Sequence, residues 1–210
     1  MMLVVFGATG ATGTNVVERA LAEGHDVVAA VRRPDAVQAR DRLAIKECDV
    51  LDAAAVAAAM SGGDAVICTI GPASDRKPGT LISAGTRNIL AGCVAGGINR
   101  LVFESGLMVS DGHELSTSGR FAVRMAGVVY SRLKADKVLA EAAITASPLD
   151  WVIVRPPTLK DAPATNDYRA APAAPVSPLK AISHADCAAA LVTATSGPQW
   201  IRQVVNVGRP

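Results

Sequence analysis

Three glycines follow the first apolar segment of the chain at intervals of three residues. From Leu3 the sequence reads LVVFGATGATG. Gly7 permits a tight turn out of a strand, Gly10 leaves room for a phosphate against the backbone, and Gly13 lets the next helix pack closely. The start of that helix supplies unpaired N–H groups and a positive dipole end. A strand before and a helix after the motif predict a dinucleotide site rather than a ligand-free turn. We expect the contacts there to come from Gly7, Thr9, Gly10, Ala11, Thr12 and Gly13.

Two arginines end the second apolar segment, in the sequence AAVRRP. Folds that prefer NAD usually carry Asp or Glu there, roughly 20 residues after the glycines, to bind the ribose 2′-hydroxyl. Arg32 and Arg33 occupy that place here, and no acid does. Because a guanidinium pairs well with a phosphate, the pair favours NADP(H) over NAD(H). The alternative is a pair of solvated surface charges.

Further polar positions follow the third, fourth and sixth apolar segments. The carboxyl ends of parallel strands share one edge of a sheet, where an open α/β fold binds its ligand. Asp49 can accept a hydrogen bond from an adenine or can cap the next turn. Pro156 is expected beside the nicotinamide. The cofactor-binding positions predicted at this edge are Asp49, Val50, Thr69, Ile70, Gly71, Pro72 and Pro156.

Short β-rich segments alternate with longer helical patterns, which is typical of a parallel sheet covered on both faces. The sequence therefore predicts an α/β, Rossmann-like doubly wound parallel sheet, in one domain over residues 1–210. The segment 160–178 is rich in Ala and Pro and has no clean periodicity. We predict either a structureless substrate-side loop there or a plain surface connection. Strands are expected at 3–6, 26–31, 44–47, 65–69, 100–104, 151–154 and 204–207, and helices at 12–23, 53–60, 80–95, 121–145 and 185–196.

The composition excludes several classes of function. A net charge of +2 with no basic block gives no reason to expect nucleic acid as a partner. No apolar run reaches the ~18 residues of a membrane span, and no signal peptide precedes the first strand, so we expect a cytoplasmic protein. The four cysteines are scattered and suggest buried reduced thiols, with no metal site.

The motifs together resemble a known family. The glycine motif, VRRP after strand two, CDVLD after strand three, LDWVIVRPP around strand six and ISHAD near the end are similar to the atypical short-chain dehydrogenase/reductases. Within that family the chain resembles the NAD(P)H-binding group of biliverdin-IXβ/flavin reductase and the nitrogen-metabolite-repression regulators. The resemblance implies the fold and an NADP(H) cofactor, and it leaves the reaction open because the group contains both reductases and non-catalytic sensors.

The resemblance offers two arrangements for catalysis. Most short-chain dehydrogenases use a Ser after strand five with a Tyr and a Lys one helical turn apart, and Ser105, Tyr130 and Lys134 match that pattern. In a second register, counted back from strand six, the family lysine falls on Lys137. Leu133 then takes the tyrosine position and the site has no tyrosine acid.

These arrangements give three functional hypotheses. The first is an NADPH-dependent reductase that transfers hydride to a flavin, quinone or conjugated carbonyl acceptor. The second is an NADP(H)-binding redox sensor that turns nothing over. The third is a Tyr–Lys dehydrogenase or epimerase-like enzyme. We expect a small-molecule acceptor as the partner, and a monomer or homodimer.

Overall fold

The computed structural model describes residues 1–72 and 79–210, and its regular elements alternate along the chain. The strands are β1 (Met2–Phe6), β2 (Asp26–Val31), β3 (Leu43–Glu47), β4 (Ala65–Cys68), β5 (Arg100–Glu104), β6 (Asp150–Arg155), β7 (Leu159–Lys160), β8 (Arg169–Pro172), β9 (Ile182–Ser183) and β10 (Gln203–Gly208). The α-helices are α1 (Ala11–Ala22), α2 (Ala53–Met60), α3 (Leu81–Gly96), α4 (Thr117–Val129), α5 (Ser131–Thr145) and α6 (His184–Thr193).

Eight of the strands form one sheet in the order β3-β2-β1-β4-β5-β6-β10-β8. All neighbours in it are parallel except β8, which runs antiparallel to β10. A parallel β7–β9 pair stands apart from this sheet. The strand order reverses between β1 and β4, which opens a crevice at their carboxyl ends. The predicted doubly wound α/β fold is confirmed.

The middle of the sheet is buried on both faces, and β1 and β4 are apolar at every position. Leu3 and Val5 of β1 pack into a core with α1 and α6. Val4 and Phe6, which alternate with them, pack into the core on the opposite face, with α2, α3 and α5. Both cores hold the carboxyl ends of β1, β4 and β5 at fixed positions, and these ends carry the site.

The helix ends follow the residues that predict them. The Ser183 hydroxyl accepts a hydrogen bond of 2.9 Å from the Asp186 N–H and so caps α6. Gly97 ends α3 in the left-handed conformation, with a φ of 69°. Helix α1 is different, because its N-cap residue Gly10 has no side chain to accept from the first turn. The N–H groups of that turn therefore have no side-chain cap.

The single long helix expected at 121–145 is wrong, because two helices meet at Tyr130. Tyr130 has a φ of −104° and a ψ of 35°, which ends α4 and precedes α5. Val128 and Val129 just before it are exposed and β-branched, and Ser131 follows, so the local helix propensity is weak at this point. Tyr130 is consequently a helix-junction residue, the C-cap of α4 and the N-cap of α5, and its carbonyl oxygen accepts a 2.8 Å hydrogen bond from the Lys134 N–H.

The expectation that 160–178 lacks regular structure is wrong, whereas its role as a substrate-side loop or a plain surface connection stays a prediction. The segment begins in β7 and contains β8, which pairs with β10. Its middle is fastened to α6, since the buried Asp186 carboxylate accepts 2.9 Å hydrogen bonds from the N–H groups of Thr165 and Asn166 and from the Thr165 hydroxyl. Buried acceptors of this kind cannot be read from the Ala- and Pro-rich sequence of the segment itself.

Asp186→Ala is expected to release this segment and to lower the free energy of unfolding by roughly 3 kcal/mol, since several hydrogen bonds to a charged acceptor are lost. Burial disfavours the charged Asp186 carboxyl, but the bonds from Asn166, Ser183 and Thr165 outweigh burial and lower its pKa. The stabilisation is complete above the unfolded-state pKa of about 3.9 and is lost as pH falls through the lower folded-state pKa. Urea unfolding and limited proteolysis of 160–178 measure both effects, with exposed Asp167→Ala as the control. Equal behaviour of the two variants contradicts the assignment.

Candidate functional site

A cavity of about 540 Å³ lies along the carboxyl ends of β1 to β4. It extends from Arg32 and Asp49 at one end to Glu104, Lys137 and His184 at the other. Most of the predicted cofactor-binding positions line it: Gly7, Thr9, Gly10, Ala11, Thr12, Arg32, Asp49, Val50, Thr69, Ile70, Gly71 and Pro72. Gly13, Arg33 and Pro156 lie elsewhere, as described below.

The glycine-rich turn has the geometry expected of a phosphate cradle. Gly7 has a φ of +82°, and a Cβ on it would lie 2.8 Å from the Thr69 carbonyl oxygen. A Cβ on Gly13 would lie 2.0 Å from the Gly7 carbonyl oxygen, so Gly13 packs against the turn itself and not against a ligand. Gly10 is the exposed member and faces the cavity. The two outer glycines thus shape the turn, and Gly10 leaves it open.

The end of β4 is fastened to this turn. The Thr69 hydroxyl donates to the carbonyl oxygens of Phe6 and Gly7, at 3.1 Å and 3.3 Å. Asp49 accepts a 3.0 Å bond from the Leu51 N–H, so the turn-forming role considered for it is present while its side chain also borders the cavity. These contacts fix the floor of the cavity.

The two arginines lie at the far end of the cavity. Arg32 lines both the cavity and an adjoining shallow basin, whereas Arg33 lines the basin alone, together with Asp35 and Glu47. Both arginines are exposed. Glu47 ends β3 opposite Val31, so the basin mixes two cations with carboxylates.

A second cavity, of about 610 Å³, adjoins the first. Its walls come from the turn after β5, from α4, from the start of α5 and from the chain after β6. Ser105, Tyr130 and Pro156 line it, and most of its other walls are apolar side chains, among them Leu107, Met108, Val123, Leu133, Leu159 and Leu179. Its size and apolar character are typical of a small-molecule site.

The structure brings Ser105 and Lys137 together. Lys137 is buried on α5, and its ammonium donates a 2.5 Å hydrogen bond to the Ser105 carbonyl oxygen. The Ser105 hydroxyl is buried and finds no hydrogen-bond partner within residues 1–72 and 79–210. Burial lowers the pKa of Lys137, and the carboxylates of Glu104 and Glu141 oppose that shift.

The Tyr130 and Lys134 pair is arranged differently. Tyr130 is 56% exposed and lies at the rim of the second cavity. Lys134 is not among the described residues that line either cavity, and its side chain lies against Gly127 of α4. Leu133 and Lys137 face the cavity instead. The register with Leu133 in the tyrosine position therefore places its lysine at the site.

Two residues that the sequence interpretation did not assign complete the site. Glu104 ends β5, and its Oε1 accepts a 3.0 Å hydrogen bond from the Thr12 hydroxyl. The same Thr12 oxygen lies 2.9 Å from Nδ1 of His184, the first residue of α6. The sequence contained a signal for Glu104, which is a charged residue at the end of an otherwise apolar part of β5. It contained no such signal for His184, because only the packing of α6 against α1 brings His184 to Thr12.

The cysteines take no part in reactive chemistry at this site. All four are buried and unpaired. Burial raises the pKa of Cys48 to about 11 and those of Cys68 and Cys93 to about 12, and it raises that of Cys187 well above the usual range. Thiolates, the reactive form, are therefore scarce at neutral pH.

No helix in the described part of the chain is both long and apolar enough to span a bilayer.

The fold and the glycine-lined crevice define a Rossmann-type dinucleotide-binding protein. A family model described as NAD(P)H-binding matches residues 7–198, and the chain belongs to this NAD(P)H-binding family. The resemblance to an NAD(P)H-binding group is thereby confirmed, and a nicotinamide cofactor with it, whereas the choice between NADP and NAD stays a prediction.

Three individual proteins illustrate the relationship. An uncharacterized chloroplastic protein of Arabidopsis thaliana is 30% identical over 175 residues, which cover 78% of this chain and 61% of that protein. The structure of ChuY, described as an anaerobillin reductase from Escherichia coli O157:H7, superposes with a TM-score of 0.82 at 27% identity, covering 100% of this chain and 98% of that one. A short-chain dehydrogenase/reductase from Veillonella parvula in complex with NADP has a TM-score of 0.76 at 14% identity, covering 100% and 94%, and shows the shared fold.

Proposed function

We propose that the protein is an NADPH-dependent reductase whose acceptor is a flavin, a quinone or a conjugated carbonyl compound. The observation that carries this proposal is the meeting of two cavities at one junction. The first follows the glycine-rich turn, the second is largely apolar, and Glu104, Lys137 and His184 line both. A binding module that only senses a dinucleotide has no need of the second cavity.

The chain fits a dinucleotide in the first cavity. The uncapped first turn of α1 offers N–H groups and a positive dipole end to a pyrophosphate, and Gly10 keeps side-chain atoms away from it. Arg32 and Arg33 provide charge-assisted donors for a 2′-phosphate at the basin. Asp49 borders the same end, where its carboxylate would accept from an adenine amino group in addition to the Leu51 N–H.

The junction supplies the conditions for reduction. When bound, NADPH supplies a hydride to the acceptor. The apolar walls of the second cavity exclude water and hold a planar acceptor in contact distance of the junction, which converts a bimolecular step into a positioned one. The Lys137 ammonium, fixed by the Ser105 carbonyl, places a positive charge where negative charge develops on the acceptor.

Consumption of NADPH tests the proposal. The absorbance of the reduced nicotinamide is followed with free flavin, a naphthoquinone or a conjugated enone as acceptor, and NADH is run alongside. We expect turnover with NADPH preferred. Gly10→Val, which places a branched side chain at the phosphate cradle, is expected to abolish binding and turnover and so shows that the activity belongs to this protein.

Calorimetric binding of NADPH separates the other hypotheses. Binding without consumption of any acceptor supports the redox sensor and contradicts the reductase. Turnover that disappears in Tyr130→Phe supports the Tyr–Lys enzyme. Absence of NADPH and NADH binding contradicts all three.

A further inference from the structure

A hydrogen-bonded series of side chains runs from the junction of the two cavities to the protein surface. It starts at Glu104, passes through the Thr12 hydroxyl at 3.0 Å and reaches Nδ1 of His184 at 2.9 Å. On the other side of the imidazole, Nε2 lies 3.8 Å from the carboxylate of Asp161, which is 93% exposed. The series therefore joins an enclosed carboxyl group to bulk solvent.

Each member of the series has the donor and acceptor capacity that proton transfer needs. The Thr12 hydroxyl has one proton, which it donates to Glu104, and its oxygen accepts from His184 Nδ1–H. Thr12 is buried, so water does not compete for these bonds. Glu104 and His184 both line the two cavities, whereas Thr12 lines only the first. Glu104 thus faces the junction of the cavities, Asp161 faces solvent, and Thr12 between them borders only the first cavity.

We infer that Glu104 is the acid that protonates the acceptor, and that Thr12 and His184 return the proton from solvent beside Asp161. This inference rests on the proposed reductase function. An acceptor that has gained a hydride is one proton short, and the Glu104 O–H bond breaks to supply that proton. The carboxylate then takes the Thr12 hydroxyl proton and Thr12 takes the Nδ1 proton of His184, while a solvent proton binds Nε2 beside Asp161, so that the imidazole stays neutral. Before the next turnover the imidazole exchanges protons with solvent and regains the Nδ1–H tautomer. The net change is one solvent proton delivered to the acceptor.

The charges around Glu104 suit an acid at this place. Burial raises the pKa of its carboxyl, while the positive charge of Lys137 and the Thr12 hydrogen bond oppose the shift. Two further titratable groups face Glu104 from neighbouring elements. They are the Cys68 thiol of β4 and the Cys187 thiol of α6, whose sulfur lies 4.0 Å from Glu104 Oε1. A carboxyl whose pKa lies above the ordinary range keeps part of its population protonated nearer neutral pH, as a general acid must.

Glu104→Gln tests the acid, since the amide keeps the size and the acceptor oxygen for Thr12 but does not titrate. With a conjugated enone, which needs a proton, turnover is expected to fall roughly 100-fold. With an N-alkylacridinium cation, which takes a hydride and no proton, the loss is expected to be far smaller. Thr12→Val is expected to lower the ratio of enone to acridinium turnover in the same direction, but by less than Glu104→Gln. Glu18→Gln on the outer face of α1 is the matched control.

The pH profile has a definite sign. Wild-type turnover of the enone is expected to decline as pH rises through the raised pKa of Glu104, because the protonated form is lost. The same limb is expected to be absent in Glu104→Gln. Equal losses with the enone and the acridinium would show a structural role and overturn the inference, as would an unaffected Glu104→Gln beside an inactive Tyr130→Phe.

A readout without cofactor keeps this inference separate from the proposed function. The side-chain carboxyl carbon of Glu104, assigned by its loss in Glu104→Gln, is titrated by NMR in the protein alone. It is expected to titrate above ordinary glutamates, and higher still in Thr12→Val and in Lys137→Met, which remove the two opposing influences. An ordinary titration, or no response to Thr12→Val, overturns the inference. Failure to bind NADPH overturns the reductase instead.

Discussion

Gly13→Ala is expected to lower the free energy of unfolding by ~3 kcal/mol, the upper range for overpacking a close contact. The added Cβ would lie 2.0 Å from the Gly7 carbonyl oxygen, 2.7 Å from the Gly7 carbonyl carbon and 2.9 Å from the Ala8 Cα. All three are backbone atoms of one tight turn, and no side-chain rotation relieves the clash. Helix α1 therefore has to move away from the turn or the turn has to deform.

The displacement is expected to reach the site. Helix α1 packs on α6 through the core that contains Val16, Ala20 and Leu191, and Thr12 on its first turn contacts Glu104 and His184. A shifted α1 therefore loses both the phosphate cradle and these side-chain bonds, and NADPH binding is expected to fall with stability.

Urea unfolding followed by circular dichroism measures the first effect and calorimetry with NADPH the second. Gly96→Ala is the matched control, because a Cβ at this helical position meets nothing nearer than 4.0 Å. It is expected to stabilise the protein by about 0.5 kcal/mol through the unfolded chain. A Gly13→Ala protein as stable as Gly96→Ala would contradict the account of the turn.

The sequence predicted the central part of the fold because there local and tertiary preferences agree. The β1 segment is apolar at each position, so it suits only a strand buried on both faces, and the glycines after it restrict the turn to very few conformations. The C-terminus of α3 and the N-terminus of α6 could also be predicted, because the capping residues Gly97 and Ser183 act on their own helical turns.

The remaining features depend on contacts between distant parts of the chain. The middle of the 160–178 segment is held in place by hydrogen bonds to Asp186, which lies 21 residues after Thr165 in the sequence. The break at Tyr130 reflects a weak local helix propensity, which the helix-forming residues on either side conceal. Glu104 and His184 meet only through Thr12, so each of them looks like an isolated polar residue in the sequence. Periodicity identifies elements, but it does not say which polar side chains converge.

Arg32→Ala is expected to weaken NADPH binding roughly 10- to 100-fold, which is the range that charge-assisted hydrogen bonds of about 1.5–3 kcal/mol imply. NADH binding is expected to change little, because only NADPH carries the 2′-phosphate. Arg33→Ala is expected to have a smaller effect, since Arg33 lines the basin but not the main cavity. Titration of each protein with both cofactors by calorimetry gives the four dissociation constants that the comparison needs.

The control has to remove the same charge at a distance from the basin, and Arg87→Ala on the exposed surface of α3 does so. It corrects for the general loss of attraction between a cation and an anionic cofactor, which salt also screens. Glu47 and Asp35 share the basin with the arginines, and their negative charges disfavour binding of the 2′-phosphate of NADPH there. A preference for NADPH therefore requires that the attraction of Arg32 and Arg33 for the 2′-phosphate exceed the repulsion from Glu47 and Asp35. If Arg32→Ala weakens NADH and NADPH binding equally, or weakens neither more than Arg87→Ala does, the arginines are surface charges and the preference for NADP is wrong.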